Sequence, residues 1–304
     1  MTRVGVYYWQ NMTPLDVLGP QQFFGWVPGW EVVTVAKTTD PVRGDNGLQA
    51  LPHHDLDSCP DVDVVLVGGG VDPSRELGDP DVMAWLAKAG AQAQWVTSVC
   101  NGALLLAEAG LLDGYRATTH WANIADLERY PGVEVVTDAR VVRDRNRITA
   151  GGVTSGIDFG LTLIAEIAGP EMAAALQLAG EYDPQPPTPF GHPRNSPAEL
   201  VGGVVRGLFT VERPLQPVPV ARESVRFFPD VRLDATGVKT ERQWAKVATH
   251  VGVWEYPDGT VGMNRSYATS SGLNYLRDET LLSPGYSDSD LGTMILDGLR
   301  GEGG

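Results

Sequence analysis

Cys100 has the clearest chemical setting in this sequence. In Thr97-Ser98-Val99-Cys100-Asn101-Gly102-Ala103 it follows a short apolar run and precedes an Ala/Leu-rich one, so it is expected where a buried strand turns into a helix. Ser98 and Gly102 are the small flanking residues that a nucleophile elbow requires. A sulfur at that point faces unpaired backbone N–H groups and the positive end of the helix. Both favour thiolate over thiol and predict a lowered pKa. The alternative is a buried structural cysteine, the commoner fate of a lone thiol.

Two other segments could serve the same centre. Val64-Val65-Leu66-Val67-Gly68-Gly69-Gly70 is a strand running into three glycines, whose backbone can approach a ligand closely and offer oxyanion-type N–H donors. It lacks the G-x-G-x-x-G spacing of a dinucleotide site, and a plain tight turn is its bland reading. Thr13-Pro14-Leu15-Asp16 opens a helix, and two readings of Asp16 stand side by side. It is either the third residue of an approximate capping box begun by Thr13, or a desolvated carboxyl of raised pKa that shuttles a proton to and from the thiol. No histidine adjoins Cys100 in sequence. His120, in Thr118-Thr119-His120-Trp121, is a candidate within reach, against the alternative of a packing residue. No H-x-x-x-H or C-x-x-C spacing supports a metal.

The elements that must position these residues alternate in type. Val4–Trp9, Glu31–Ala36, Val62–Val67 and Trp95–Val99 are expected as buried parallel strands. Asp79-Pro80 should cap and open a helix through Ala91, with further helices over Gly102–Ala109 and Thr154–Ile167. Val135–Val142 and Arg147–Thr149 should form a hairpin about the polar Arg143-Asp144-Arg145-Asn146 stretch. This pattern predicts an α/β fold, a doubly wound parallel sheet sandwich, followed by a second, smaller α+β domain. Residues 1–197 form the first domain, ending in a Pro-rich tail with prolines at 184, 186, 187, 189, 193 and 197. Residues 198–223 form a helix (Ala198–Leu208) and linker, and 224–304 the small module. In that module Trp244–His250 has helical character, Gly252–Tyr256 and Thr260–Asn264 flank a Pro257-Asp258-Gly259 turn, and Asp288–Leu299 closes as an amphipathic helix. Trp244, Trp254, Tyr256, Tyr267 and Tyr275 form either an aromatic core or a binding surface.

Composition narrows the function classes. Acidic residues outnumber basic ones 38 to 23, a formal net charge of −15, which disfavours nucleic acid and anionic membrane surfaces as partners. No apolar run approaches the ~20 residues of a membrane span, and the N-terminus lacks a signal-peptide pattern. Two cysteines, Cys59 and Cys100, make neither a disulfide framework nor a four-ligand zinc site, so a reducing cytoplasm is the expected location.

Taken together, several stretches resemble the ThiJ/PfpI superfamily: Leu15-Asp16-Val17-Leu18-Gly19-Pro20, the glycine loop, Ser98–Ala103 with the following Leu111-Leu112-Asp113-Gly114, Ala117–Trp121, Gly152-Val153-Thr154-Ser155-Gly156-Ile157-Asp158, and Glu181-Tyr182-Asp183-Pro184-Gln185-Pro186-Pro187. Within it they look like the isonitrile (isocyanide) hydratase branch and the amidotransferase-like domains of some transcriptional regulators. The resemblance runs in order from residue 3 to about 197 and implies a flavodoxin-like sandwich, a homodimer, and no cofactor or metal. It implies Cys100 as nucleophile and Asp16 as its carboxyl partner, with Gly69, Gly70 and Asn101 as oxyanion or substrate-binding groups. His120 and Thr154 are further candidates. Asn101 stands where isonitrile hydratases usually have threonine, which leaves room for a different substrate. The implied chemistry is hydration of an isonitrile to an N-formamide through a thioimidate. A small-molecule-sensing regulator and a glyoxalase- or deglycase-like stress enzyme are the alternatives. The regulators append a basic helix-turn-helix domain, but residues 201–304 carry 11 Lys/Arg against 13 Asp/Glu, so that module is a candidate for a protein partner instead.

Overall fold

The computed structural model describes residues 1–198, 200–202 and 204 and, beyond them, four strands. In chain order the elements are β1 (Thr2–Tyr7), α1 (Pro14–Phe24), β2 (Trp30–Val35), β3 (Val42–Arg43), β4 (Gln49–Ala50), β5 (Val64–Val67), α2 (Ser74–Leu77), α3 (Pro80–Gln92), β6 (Trp95–Val99), α4 (Gly102–Glu108), β7 (Tyr115–Ala117), α5 (Ile124–Leu127), β8 (Val133–Val135), β9 (Val141–Asp144), β10 (Arg147–Ala150), α6 (Ser155–Ala168) and α7 (Pro170–Ala179). They are followed by β11 (Val247–Glu255), β12 (Val261–Thr269), β13 (Gly272–Leu276) and β14 (Leu281–Leu282). The chain divides into two compact units, Met1–Pro184 and Gln185–Gly304.

The first unit is built on a six-stranded sheet of order β2-β1-β5-β6-β10-β9, parallel except for β9. Strands β5 and β10 are buried at every position; β5 is the continuous apolar run expected of a strand covered on both faces, while β10 also buries Arg147 and Thr149. The helices pack in two groups, α1 with α6 and α7, and α2, α3, α4 and α5 with one another. Chain progression reverses between β1 and β5, which makes the carboxyl edge there the topological switch point where such sheets bind ligands. The Asp79 side chain accepts the N–H groups of Asp81 and Val82, and Pro80 opens α3, as the sequence predicts. On α4, Leu104, Leu105 and Leu106 are wholly buried, each worth about 1.5–3 kcal/mol, and this fixes the helix that leaves Cys100.

Three local expectations change. Arg143 and Asp144 belong to β9, so the hairpin turns on Arg145-Asn146, with Arg145 at φ +51°. Val133–Val135 pairs in parallel with β7 in a separate two-stranded sheet. Helix α7 was not anticipated, although Pro170 opens it and an Ala/Leu run follows. In the tail, residues 183–197 hold no α-helix or strand, only a single 3-10 turn at Pro193–Asn195.

In the second unit β11 pairs antiparallel with β12 from Glu255↔Val261 outward, which is the expected hairpin. The helical expectation for Trp244–His250 fails: Val247 onward is strand, paired with β12 through a register shift between Ala248 and His250. β13 and β14 also pair with β12. At 198, 200–202 and 204 the backbone is helical. The remainder of Ala198–Leu208, the turn at Pro257-Asp258-Gly259 and the closing helix Asp288–Leu299 lie outside the described residues.

Candidate active site

Strand register brings the chemistry-bearing residues together. Val67 lies opposite Ser98 and Ala150 opposite Val99, so the loops after β5, β6 and β10 meet at Gly69, Cys100 and Gly151. The Cys100 N–H donates to the Ala150 and Gly151 carbonyls, and the Thr119 hydroxyl donates to the Cys100 carbonyl at 2.8 Å. Held in this way, Cys100 adopts φ +58°, the left-handed region that a residue with a Cβ enters at a cost of about 1–2 kcal/mol. This is the strained strand-to-helix turn that a nucleophile elbow requires.

Asp16 resolves the choice posed by its sequence. Thr13 makes no side-chain cap; its hydroxyl donates to Asp45 Oδ2 at 2.6 Å. The Asp16 side chain is wholly buried and turns to the glycine loop, where Oδ2 accepts the Gly69 N–H at 2.8 Å. Its other oxygen, Oδ1, is buried with no hydrogen-bond partner. The capping box is therefore not formed, and the carboxyl is directed at the elbow. Burial pushes its pKa up to about 7, against the downward pull of the Gly69 N–H, the Cys100 thiol and the Val153 N–H.

The thiol departs from expectation. Cys100 is only 7% exposed, and its pKa lies well above the ordinary value because of burial and the adjacent Asp16 carboxyl. The N–H groups of Asn101 and Val153 pull it down, but less strongly. Magnitudes explain the outcome. A helix terminus is worth about 0.3–2 kcal/mol, roughly one pH unit, and α4 is seven residues long, whereas full burial can move a group by about 3–5. An ionised Asp16 makes the neighbouring thiol harder to ionise.

The glycine loop is fastened rather than open. Trp9 Nε1 donates to the Gly68 carbonyl at 3.0 Å, and the Thr13 N–H donates to the Gly69 carbonyl at 2.8 Å. The Gly70 N–H, expected as an oxyanion donor, is committed to Asn101 Oδ1 at 2.9 Å, and the Gly69 N–H to Asp16. At Gly69 a Cβ would stand 2.5 Å from Asn101 Oδ1 and 2.6 Å from Cys100 Cβ. Gly69→Ala is thus expected to force loop and elbow apart and to destabilise the first unit by about 1–3 kcal/mol, read as a lowered urea midpoint.

Of the remaining candidates, His120 packs on Trp121 and against Gly152, and its Nδ1 accepts the Ala122 N–H at 3.2 Å. Thr154 is exposed, and its hydroxyl accepts from Arg140 at 2.9 Å. Sequence reasoning missed two participants, Thr119 beneath the elbow and Val153. Val153 holds φ +45°, which is exceptional for a β-branched residue, and its N–H faces both thiol and carboxyl. A Val between Gly-Gly and Thr-Ser in the loop after β10 was the available signal. Among the described residues no group of three or more His, Cys, Asp or Glu is placed to hold a metal ion, and no helix is long and apolar enough to cross a membrane.

Comparison with known proteins shows which family the chain resembles. Residues 2–166 match the DJ-1/PfpI family. The chain is 41% identical over 199 residues to the isonitrile hydratase of Pseudomonas putida, spanning 66% of this chain and 86% of that protein. It is 39% identical over 143 residues to the HTH-type transcriptional regulator GbdR of Pseudomonas aeruginosa, spanning 47% of this chain but 38% of the regulator. A crystal structure of a ThiJ/PfpI family protein from Pseudomonas syringae superimposes with a TM-score of 0.65 at 40% identity, over 68% of this chain and 86% of that one.

Proposed function

Because the chain belongs to the DJ-1/PfpI family, whose flavodoxin-like α/β sandwich its first unit adopts, we propose that it hydrates an isonitrile to an N-formamide, with Cys100 as nucleophile and Asp16 as proton relay. The observation that carries this reading is the wholly buried Asp16 carboxyl beside a thiol presented on a strained elbow.

The raised pKa values give the order of events. The resting thiol keeps its proton, so the Asp16 carboxylate takes it as sulfur bonds to the terminal isonitrile carbon. Asp16 then delivers that proton to the same carbon, completing a thioimidate. Water adds to this carbon and its proton passes through Asp16 to nitrogen. The C–S bond then breaks as the adduct's hydroxyl becomes the formyl carbonyl, its proton passes to sulfur, and the N-formamide leaves. The balance is one isonitrile and one water to one formamide, and each step uses groups of this chain alone. Residues 1–197, in a homodimer, would form the working unit.

This reading fixes a pH profile. Activity requires ionised Asp16, so kcat/KM for isonitrile hydration is expected to rise with pH and level off above about 7. Rates followed by formamide appearance from pH 5 to 9 check this, and a flat profile contradicts it. A second reading has support in the regulator GbdR, to which the first unit is similar: the site would bind a small electrophile as a sensor without turning it over. Isonitrile binding without formamide release would favour that reading. Methylglyoxal consumed in preference to isonitrile would favour a glyoxalase-like one.

A further inference from the structure

We propose that Asn101 is a positioning residue, whose side-chain amide clamps the glycine loop to the elbow and through that loop holds Asp16 in its reacting geometry. This rests on the Cys100–Asp16 reading above and specifies how the pair is kept in place.

Both polar atoms of the Asn101 side chain are engaged by one partner. Oδ1 accepts the Gly70 N–H at 2.9 Å, and Nδ2 donates to the Gly70 carbonyl at 2.8 Å. Asn101 itself is buried, and both polar atoms of its amide are taken up by the loop. The pairing mimics two rungs of a sheet ladder at the point where β5 and β6 have ended, and ties residues 31 apart in sequence. Fixing Gly70 fixes Gly69, its neighbour. The Gly69 N–H is the hydrogen bond on Asp16 Oδ2, while the Gly69 carbonyl receives the Thr13 N–H from the start of α1. The line of support therefore runs from Asn101 through Gly70 and Gly69 to the carboxyl.

The groups that face Asp16 from the surrounding elements are the Cys100 thiol at the elbow, the N–H groups of Gly69 and Val153, and the more distant Asp45 carboxylate. The Gly69 N–H favours the ionised carboxyl, so slackening the loop should make that carboxyl harder to ionise. A side chain that merely filled space would leave the ionisation unmoved.

The test uses the full chain in a Cys59→Ser background, so that Cys100 is the one thiol present, and follows alkylation by iodoacetamide against pH by mass spectrometry. Because the thiol keeps its proton until the Asp16 carboxylate takes it, alkylation of the native Asn101 chain should accelerate as Asp16 ionises, with a first inflection near pH 7. In Asn101→Leu, which fills the same space without the two bonds, the inflection should move up by about 0.5–1 pH unit. Asn101→Ser leaves room for a water to serve Gly70 and should shift in the same direction; it decides alone if the leucine chain does not fold. An inflection unmoved or moved down in the folded variants overturns the proposal. The readout needs no turnover. A native chain that forms no formamide would defeat the proposed function, while the alkylation profile would still decide the clamp.

Discussion

Replacing Asp16 with asparagine is expected to cut kcat/KM at least ~100-fold and yet to leave the protein more stable at neutral pH. Asparagine can still accept the Gly69 N–H through its carbonyl oxygen but cannot carry the thiol proton. The stability gain follows from the ionisation of the native residue. The Asp16 pKa is raised from 3.8 to about 7 on folding, so its contribution is fully present below pH ~4 and is lost as pH rises through 7. That difference corresponds to at most about 4 kcal/mol, released when a neutral side chain takes its place. Thermal midpoints of the two proteins should thus diverge between pH 4 and 7, with the asparagine chain higher, and run parallel above. Had Asp16 been the third residue of a capping box, asparagine would instead lower stability, by roughly 0.5–2 kcal/mol, and leave activity largely intact.

The second large effect is at Cys100. Cys100→Ala should reduce isonitrile hydration to the uncatalysed background, because no other side chain in the reading forms the bond to carbon. Its stability should stay close to native, since the β-carbon and the left-handed backbone are unchanged. Cys100→Gly should be equally inactive but more stable than the alanine variant by about 1 kcal/mol, because glycine takes φ +58° without a Cβ penalty. Urea midpoints of the two inactive chains measure the strain held at the elbow. Equal midpoints would mean that the turn is relaxed and that its geometry stores nothing.

Much of this arrangement is legible in the sequence because it depends on short-range pattern. Trp95–Val99 is strand as expected, Asp79-Pro80 caps α3, and Cys100 stands between β6 and α4. Features that depend on distant partners were not legible. The sequence shows a helix start beside Cys100 but not the depth of its burial, so the thiol was expected to be acidic where desolvation makes it the reverse. Thr13 and Asp16 satisfy a capping pattern locally, and only the approach of Asp45 and Gly69 draws both side chains away from it. The triple glycine suggests open donors, yet Trp9, Thr13, Asp16 and Asn101 occupy its backbone groups. In the second unit the Trp244–His250 stretch has helical character in the sequence, and pairing with β12 makes it strand from Val247 onward.

Rapid mixing of the native chain with excess 13C-labelled isonitrile, quenched within one turnover, tests the central claim most directly. The account predicts that the peptide containing Cys100 gains the mass of one intact isonitrile, that this adduct decays as labelled N-formamide accumulates, and that Asp16→Asn suppresses its formation. Formamide released at full rate with no label passing through Cys100, or by a Cys100→Ala chain, would contradict it.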